Sequence, residues 1–332
     1  MAGSSSERAL IERVRRVTGA ERAVVEEHVQ ELWSGYGEIV RMLLEFSSEP
    51  SRSVIVKSVA PPRSDSSRSH ARKLRSYRVE AEFYARYARR CSEACRVPNA
   101  ESSEFNAGTA LFVLEDLDAA GFSLRHRQLG ARELDACLAW LAEFHATFLG
   151  VEAEGLWKEG CYWHLATRPD ELANMAPSPL RDAAGRIDEA LRRARFRTLV
   201  HGDAKPDNFC FTRENRVAAV DFQYVGGGVG VKDVAYLLSC CFSGDECHVM
   251  VPRALDTYLA ALRGALAGRL EHDEAERLER EWRALFPYAW ADFERFLHGW
   301  APAYANDSYV RRLVQSVLAD LNSNRGKPHS AS

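Results

Sequence analysis

The chain has 332 residues, about two domains at ~150 residues each, and its 46% hydrophobic and 27% charged content excludes collagen-like, disordered and coiled-coil classes. Its 44 basic and 47 acidic residues leave a net charge of −3, which argues against a nucleic-acid binder, because such proteins carry a basic excess. No apolar run reaches the ~18 residues of a membrane-spanning helix, and the N-terminus lacks a secretory apolar stretch, so a cytoplasmic protein is expected.

Residues 1–6 read as frayed. Leu10, Ile11, Val14 and Val17 then recur at helical spacing, and Gly19 stops the helix. A second helix is expected over 20–30. A Gly-containing turn follows at Trp33–Glu38, and residues 39–46 and 53–59 read as strands. The Pro-, Ser- and Arg-rich stretch from Pro61 to His70 reads as a mobile loop, with a helix over 72–90 after it. Residues 110–114, Ala-Leu-Phe-Val-Leu, form a short buried strand.

From about 131 the pattern is mainly helical, with Leu134, Leu138, Leu141, His145 and Phe148 on one face. Two β-like pieces, 198–200 and 217–220, interrupt it. Gly226–Gly228 reads as a flexible loop or turn. The last hundred residues are helical, and 271–281 forms a solvated, charge-rich helix. The eight cysteines show no zinc spacing and read as small buried thiols, with Cys91 and Cys95 a conceivable pair. The expected architecture is α+β: a strand-rich lobe over 1–114 and a helical lobe over 115–332.

The most informative segment is His201-Gly202-Asp203-Ala204-Lys205-Pro206-Asp207-Asn208, followed by Val220-Asp221-Phe222-Gln223 at the end of a second β-like piece. Phosphoryl transfer to an alcohol needs a carboxylate to accept the hydroxyl proton, and oxygen ligands for the Mg²⁺ that bridges the nucleotide phosphates. Asp203 suits the first task; Asn208 and Asp221 suit the second. The arrangement resembles the catalytic loop of the aminoglycoside phosphotransferase, choline kinase and ecdysteroid-kinase-like families, which are small-molecule kinases of the protein-kinase-like fold. Leu114-Glu115-Asp116-Leu117, Tyr77–Tyr84 and Leu141–Ala146 resemble further motifs of these families, in order along the chain.

The resemblance implies ATP and Mg²⁺ as cofactors and a two-lobed fold, with nucleotide bound by 1–114 and catalysis and substrate binding in 115–332. Lys57 would bind the α- and β-phosphates, with Glu80 as its partner and Glu82 the fallback; read alone, Lys57 is an edge-strand lysine reaching water. Gly35 and Gly37 would cover the phosphates, though a hairpin turn explains them equally. The backbones of Glu115 and Leu117 would contact adenine, with the Glu115 and Asp116 side chains solvated. Lys205 would neutralise the transferring phosphate or is a solvated loop lysine. Asp233 would cap the following helix and brace the loop. His201 and His145 read as packed histidines. Lysine occurs only at 57, 73, 158, 205, 232 and 327, so two of the six fall at proposed phosphate positions.

Only 11 residues separate Asp221 from Asp233, too few for the peptide platform of a protein kinase. The acceptor is therefore expected to be a small-molecule hydroxyl. Trp290, Asp292, Glu294, Trp300 and Tyr304 either face a cationic amine or are core aromatics and surface acids. A nucleotide-binding pseudokinase is the alternative from another class.

Overall fold

The computed structural model describes residues 5–61, 67–305 and 307–323. Of the expected fraying at 1–6, residues 1–4 lie outside them, while Ser5 and Ser6 are helical; of the expected loop at 61–70, residues 62–66 lie outside them. The chain divides into two compact units. One runs to Arg125 and takes in Phe209–Gln223; the other holds His126–Asn208 and the residues from Tyr224 onward. The sequence boundary at 114 falls at the end of a strand, and the first unit continues past it for another turn and loop.

In the first unit, α1 (Ser5–Thr18) ends at Gly19 with a left-handed φ of 72°. Residues Arg22–Glu31 form strand β1, not the expected helix. Only Ala23 on it is buried, so apolar periodicity was a poor guide there. The decisive factor is pairing with β2 (Gly37–Glu45), which satisfies the β1 backbone along one edge. β3 (Arg52–Val59) pairs with β2 on one side and β5 (Thr109–Glu115) on the other.

Edge strand β4 (Ala100–Asn106) joins β5 through a two-residue Ala107–Gly108 turn, both residues at positive φ. Its Glu-Ser-Ser-Glu run hid it from a hydrophobicity reading. The sheet order is β1-β2-β3-β5-β4, antiparallel throughout. α1 covers one face, where Leu10 and Val14 pack with Val40, Met42, Val54, Val56 and Val113.

α2 (Arg68–Glu82) starts four residues before the expected point because the Ser67 hydroxyl accepts from the His70 amide. It runs on through a π turn at Phe83–Tyr87 and a 3₁₀ turn at Ala88–Arg90. The hairpin of β7 (Phe209–Phe211) and β8 (Val217–Ala219) completes this unit.

The second unit is helical: α3 (Ala131–Thr147), α4 (Pro169–Asn174), α5 (Pro179–Arg192), α6 (Val231–Cys241), α7 (Cys247–Leu266), α8 (His272–Trp300) and α9 (Ser308–Ser323). α3 is buried beyond the expected stripe, since Cys137, Trp140 and Phe144 are buried too. α8 is the packing centre for α4, α5, α6 and α9. Its Glu281 is not merely solvated: the carboxylate accepts the Arg195 and Phe196 amides at 2.7 and 3.0 Å, and Trp282 donates to the Phe196 carbonyl. This fixes the chain entering β6 (Thr198–Val200).

β6 pairs with β9 (Gly226–Gly228), the triple glycine. These glycines serve close packing and not flexibility. All three are buried, and a Cβ at Gly226 would stand 2.2 Å from the Trp157 carbonyl oxygen. Gly37 is similar: φ is 141°, and a Cβ would lie 1.9 Å from the Ser58 carbonyl oxygen. Gly35, at φ 68°, faces open space. Gly37→Ala is therefore expected to cost about 2–4 kcal/mol of stability, from strain plus overlap, and Gly35→Ala only about 1 kcal/mol. Urea denaturation of the two variants checks the difference; equal losses would contradict it.

Candidate active site

Alternation along β3 turns Val54 and Val56 toward α1 and places Lys57 on the opposite face. β3 is a central strand, so Lys57 is not an edge lysine; it is 6% exposed. Its Nζ lies 2.7 Å from Glu80 Oε2 on α2 and 3.8 Å from Asp221 Oδ1. Glu82 is partly exposed and pairs with Arg86, which removes it as the partner. Burial alone would lower Lys57, but the carboxylates of Glu80 and Asp221 reverse this and hold it above its ordinary value. Burial pushes the Glu80 carboxyl up to about 7, against the pull of Lys57.

Asp221 follows β8 with φ at 68°, a left-handed conformation that Asp tolerates better than most residues. Phe222 anchors it, stacked on Phe83 with centroids 3.9 Å apart. Asp221 Oδ1 is buried and has no hydrogen-bond partner. A buried carboxylate oxygen left this way is costly unless something else meets it.

The turn carrying Gly35 and Gly37 is closed by the Leu32 amide to the Gly37 carbonyl and the Gly35 amide to the Leu32 carbonyl. Lys73, which sequence reasoning passed over, reaches it from α2. Its Nζ donates to Ser34 Oγ at 2.9 Å and sits over the Tyr36 ring. Its signal was its rarity, as one of six lysines.

At the end of β5, Glu115 and Asp116 are not solvated. The Glu115 carboxylate accepts two bonds from Arg96, at 2.5 and 2.6 Å, and one from the Asn99 amide. Asp116 is 4% exposed and accepts from Arg41 at 2.8 Å. Burial would raise it, but hydrogen bonds from Ser53 and Arg41 hold it below its ordinary value. Leu117 is buried, and its carbonyl accepts from the Phe122 amide.

In the second unit, the His201–Asn208 loop is shaped around two side chains. Asp233 Oδ2 accepts the His201 amide at 2.6 Å, and Oδ1 accepts the Gly202 amide at 2.9 Å. His145, itself bonded to the Tyr258 hydroxyl, meets Asp233 at 3.0 Å. Asp233 thus braces the loop but does not cap α6, whose first turn it occupies beyond Gly230. The Asn208 side-chain amide donates to the Asp203 carbonyl at 2.7 Å and to Asp203 Oδ2 at 3.1 Å. With Nδ2 committed to two acceptors, the Asn208 amide oxygen keeps its lone pairs. Lys205 Nζ is 3.7 Å from Asp203 Oδ2 and 37% exposed.

Lys57, Glu80 and Asp221 are thus gathered in one unit, and Asp203, Lys205 and Asn208 in the other. The chain joins the two sets directly, because β7 begins at the residue after Asn208. The sequence pattern of the phosphotransferase enzyme family matches residues 46–272, a span holding both sets. The chain belongs to this family. Gly35 and Gly37 lie ahead of the matched span. Among solved structures, the phosphotransferase is similar to amicoumacin kinase hAmiN in complex with AMP-PNP, Ca²⁺ and Ami (15% identity, 97% of this chain and 94% of that one, TM-score 0.54). It is also similar to choline kinase LicA from Streptococcus pneumoniae (13% identity, 96% and 100%, TM-score 0.51). These likenesses give it the protein-kinase-like fold. No curated protein sequence matches it.

The late helices of the phosphotransferase divide. Trp290 is core, packed edge-on against Phe286 and Tyr309. Asp292 is buried and already neutralised, with Arg295 at 2.9 Å and Lys232 at 3.8 Å. Glu294 is 3.4 Å from His298. Trp300 and Tyr304 are exposed. Arg295 takes Asp292 Oδ1, while Oδ2 is buried without a hydrogen-bond partner; Asp292 is a buried acid and not the expected surface one. All eight cysteines are free thiols; Cys240 is exposed, against the expectation of burial. No helix among the described residues is long and apolar enough to cross a membrane.

Asp233→Asn would replace an acceptor-only carboxylate by an amide facing the His201 and Gly202 donors. A loss of about 2–3 kcal/mol is expected, read by chemical denaturation. Asp207→Asn, at an exposed position of the same loop, is expected to change stability by less than about 0.5 kcal/mol.

Proposed function

We propose that this phosphotransferase moves the γ-phosphate of ATP to a hydroxyl of a small molecule, using Mg²⁺. The observation that carries the reading is the pair of committed and uncommitted oxygens. Asn208 spends its amide nitrogen on Asp203, and Asp221 keeps a buried oxygen without a hydrogen bond. One carboxylate and one amide oxygen suit a hard cation that fills its shell with phosphate oxygens and water. Among the described residues no cluster of three His, Cys, Asp or Glu side chains occurs, and this mode of binding needs none.

In this reading the first unit holds the nucleotide. Lys57, held by Glu80, meets the α- and β-phosphates, and the turn with Gly35 and Gly37 lies over them, with Lys73 close by. The backbones of Glu115 and Leu117 contact adenine; the Leu117 amide donates to no protein acceptor among the described residues. The second unit supplies the chemistry. Asp203 orients the acceptor hydroxyl and takes its proton as the oxygen bonds to the γ-phosphorus and the bond to ADP breaks. Lys205 offsets charge on the moving phosphoryl group. Mg²⁺, bound through Asn208 and Asp221, would neutralise the phosphate oxygens.

The segment after Asp221 favours a small acceptor over a peptide. Gly226–Gly228 is built into a buried pair with β6, and α6 starts at Val231, so this segment leaves no surface for an extended peptide. Free cysteines and ATP use favour a cytosolic setting.

Asp203→Ala is expected to lower kcat by at least about a thousandfold with little change in ATP affinity, since positioning the hydroxyl is separate from holding the nucleotide. Asp221→Ala is expected to weaken Mg²⁺-dependent nucleotide binding. The assay is ADP release over a panel of hydroxyl metabolites, including choline and aminoglycosides, with nucleotide affinity by calorimetry. Wild-type turnover in Asp203→Ala would remove it as the base. ATP binding with no acceptor turned over would favour a nucleotide-binding module without catalysis.

A further inference from the structure

A cavity of about 440 Å³ lies in the first unit between the end of the α2 extension and the start of β4. It takes in none of Lys57, Glu80, Asp221 or Leu117. Its volume falls within the range of small-molecule sites, ~300–1,000 Å³. Three features of its wall are unusual together.

First, the chain makes a π turn at Phe83–Tyr87 before reaching it; such turns are costly and are enriched at functional sites. Second, Tyr84 on that turn lines the cavity and is 6% exposed, yet its hydroxyl has no hydrogen-bond partner. Tyr hydroxyls usually find a partner when buried. Third, Arg89 lines the cavity, is exposed, and makes no hydrogen bond or ion pair among the described residues. The other lining charges are satisfied: Arg96 is held by Glu93 and Glu115, and Glu93 also lies 3.8 Å from Arg216.

The remaining wall is neutral. Ala88, Val97, Pro98 and Ala100 are apolar. The hydrogen bond with Cys95, together with burial, raises the Cys91 thiol far above its ordinary value, so it stays protonated and does not repel an anion. The exposed Asn99 side chain adds an amide at the rim.

We propose that this cavity binds a small organic anion, a carboxylate or phosphate monoester, with Arg89 on the charge and the Asn99 side-chain amide at the rim as a second donor. The wall connects to the groups proposed above for the nucleotide. The Tyr84 ring packs edge-on against Phe222 with centroids 5.9 Å apart, next to Asp221, and Tyr84 stands four residues beyond Glu80. Arg96 and the Asn99 amide hold the Glu115 carboxylate. An occupant therefore bears on both ends of the nucleotide contacts. This coupling rests on the proposed function; the binding itself does not.

The test is calorimetric titration of the nucleotide-free protein with benzoate, phenyl phosphate and neutral benzyl alcohol. One-to-one binding of an anionic probe is expected, weaker by about tenfold in Arg89→Ala, recovered in Arg89→Lys, and lost in Ala100→Phe, which fills the cavity. Arg86→Ala, at an exposed arginine outside the cavity, is expected to bind as wild type. Thermal melts confirm that each variant is folded. Absence of saturable binding by both anions, or equal binding by Arg89→Ala and Ala100→Phe, overturns the site. AMP-PNP titration with and without the probe reads the coupling: a shift of at least about threefold is expected, and an unchanged affinity overturns the coupling. A wild-type protein that binds the anion but no AMP-PNP contradicts the proposed function and leaves the cavity standing.

Discussion

The second unit is organised around one buried carboxylate. Asp233 is fully buried, a position a charge tolerates only when donors surround it. Two backbone amides and the His145 ring supply them. His201 and Gly202 cannot offer their amides to one carboxylate unless the chain turns sharply between them. Gly202 makes that turn at φ 81°, where a Cβ would meet the Tyr224 carbonyl oxygen at 2.1 Å. The orientation of Asp203 follows from this bend, and Asn208 then fixes the Asp203 carboxylate from the other side. The loop is held by the cost of leaving Asp233 unpaired.

The first unit uses the opposite device, a charge balance left incomplete. Lys57 has a close partner in Glu80, and Asp221 stands nearby without a hydrogen bond. A purely structural ion pair would be expected to satisfy every buried oxygen. Two carboxylates around one lysine leave negative charge over, a setting that favours an additional cation. Phe222 stacked on Phe83 keeps Asp221 in place through packing, so its position does not depend on being paired.

Legibility along the chain followed the strength of local signals. The β3 and β5 strands were readable because their apolar runs are buried in mid-sheet, and α1 because its stripe matches one sheet face. β1 and β4 failed for a shared reason: both are edge strands with mostly polar side chains, and the neighbouring strand's backbone decides their state. β7 is too short to carry a pattern. The triple glycine looked flexible because glycine usually is; only the Trp157 backbone pressed against it shows why nothing larger fits. Helix direction shows that Glu80 and Glu82 point to different sides, but the choice of Glu80 over Glu82 rested on the resemblance. Asp233 was expected both to cap a helix and to brace the loop; its carboxylate turns wholly to the loop, and the cap is absent. Glu281 and Arg96 gave no signal beyond being charged, because their partners at Arg195 and Glu115 lie far away in sequence.

The sequence by itself determined which chemical groups are present, their order and their spacing. HGDAKPDN and the following Asp221 are fixed by covalent distance, and the short reach from Asp221 to Asp233 limits what can be built there. These are properties of the chain, and folding cannot change them. The tertiary structure decided which of the charges are free to act. Glu115 is as acidic on paper as Asp221, but Arg96 takes both of its oxygens, while Asp221 Oδ1 accepts no hydrogen bond. Likewise Arg89 and Arg96 are equivalent in sequence, and only Arg96 is neutralised. A charge becomes available or spent according to its burial and its distance to a partner, and both are set by contacts between segments far apart in the chain.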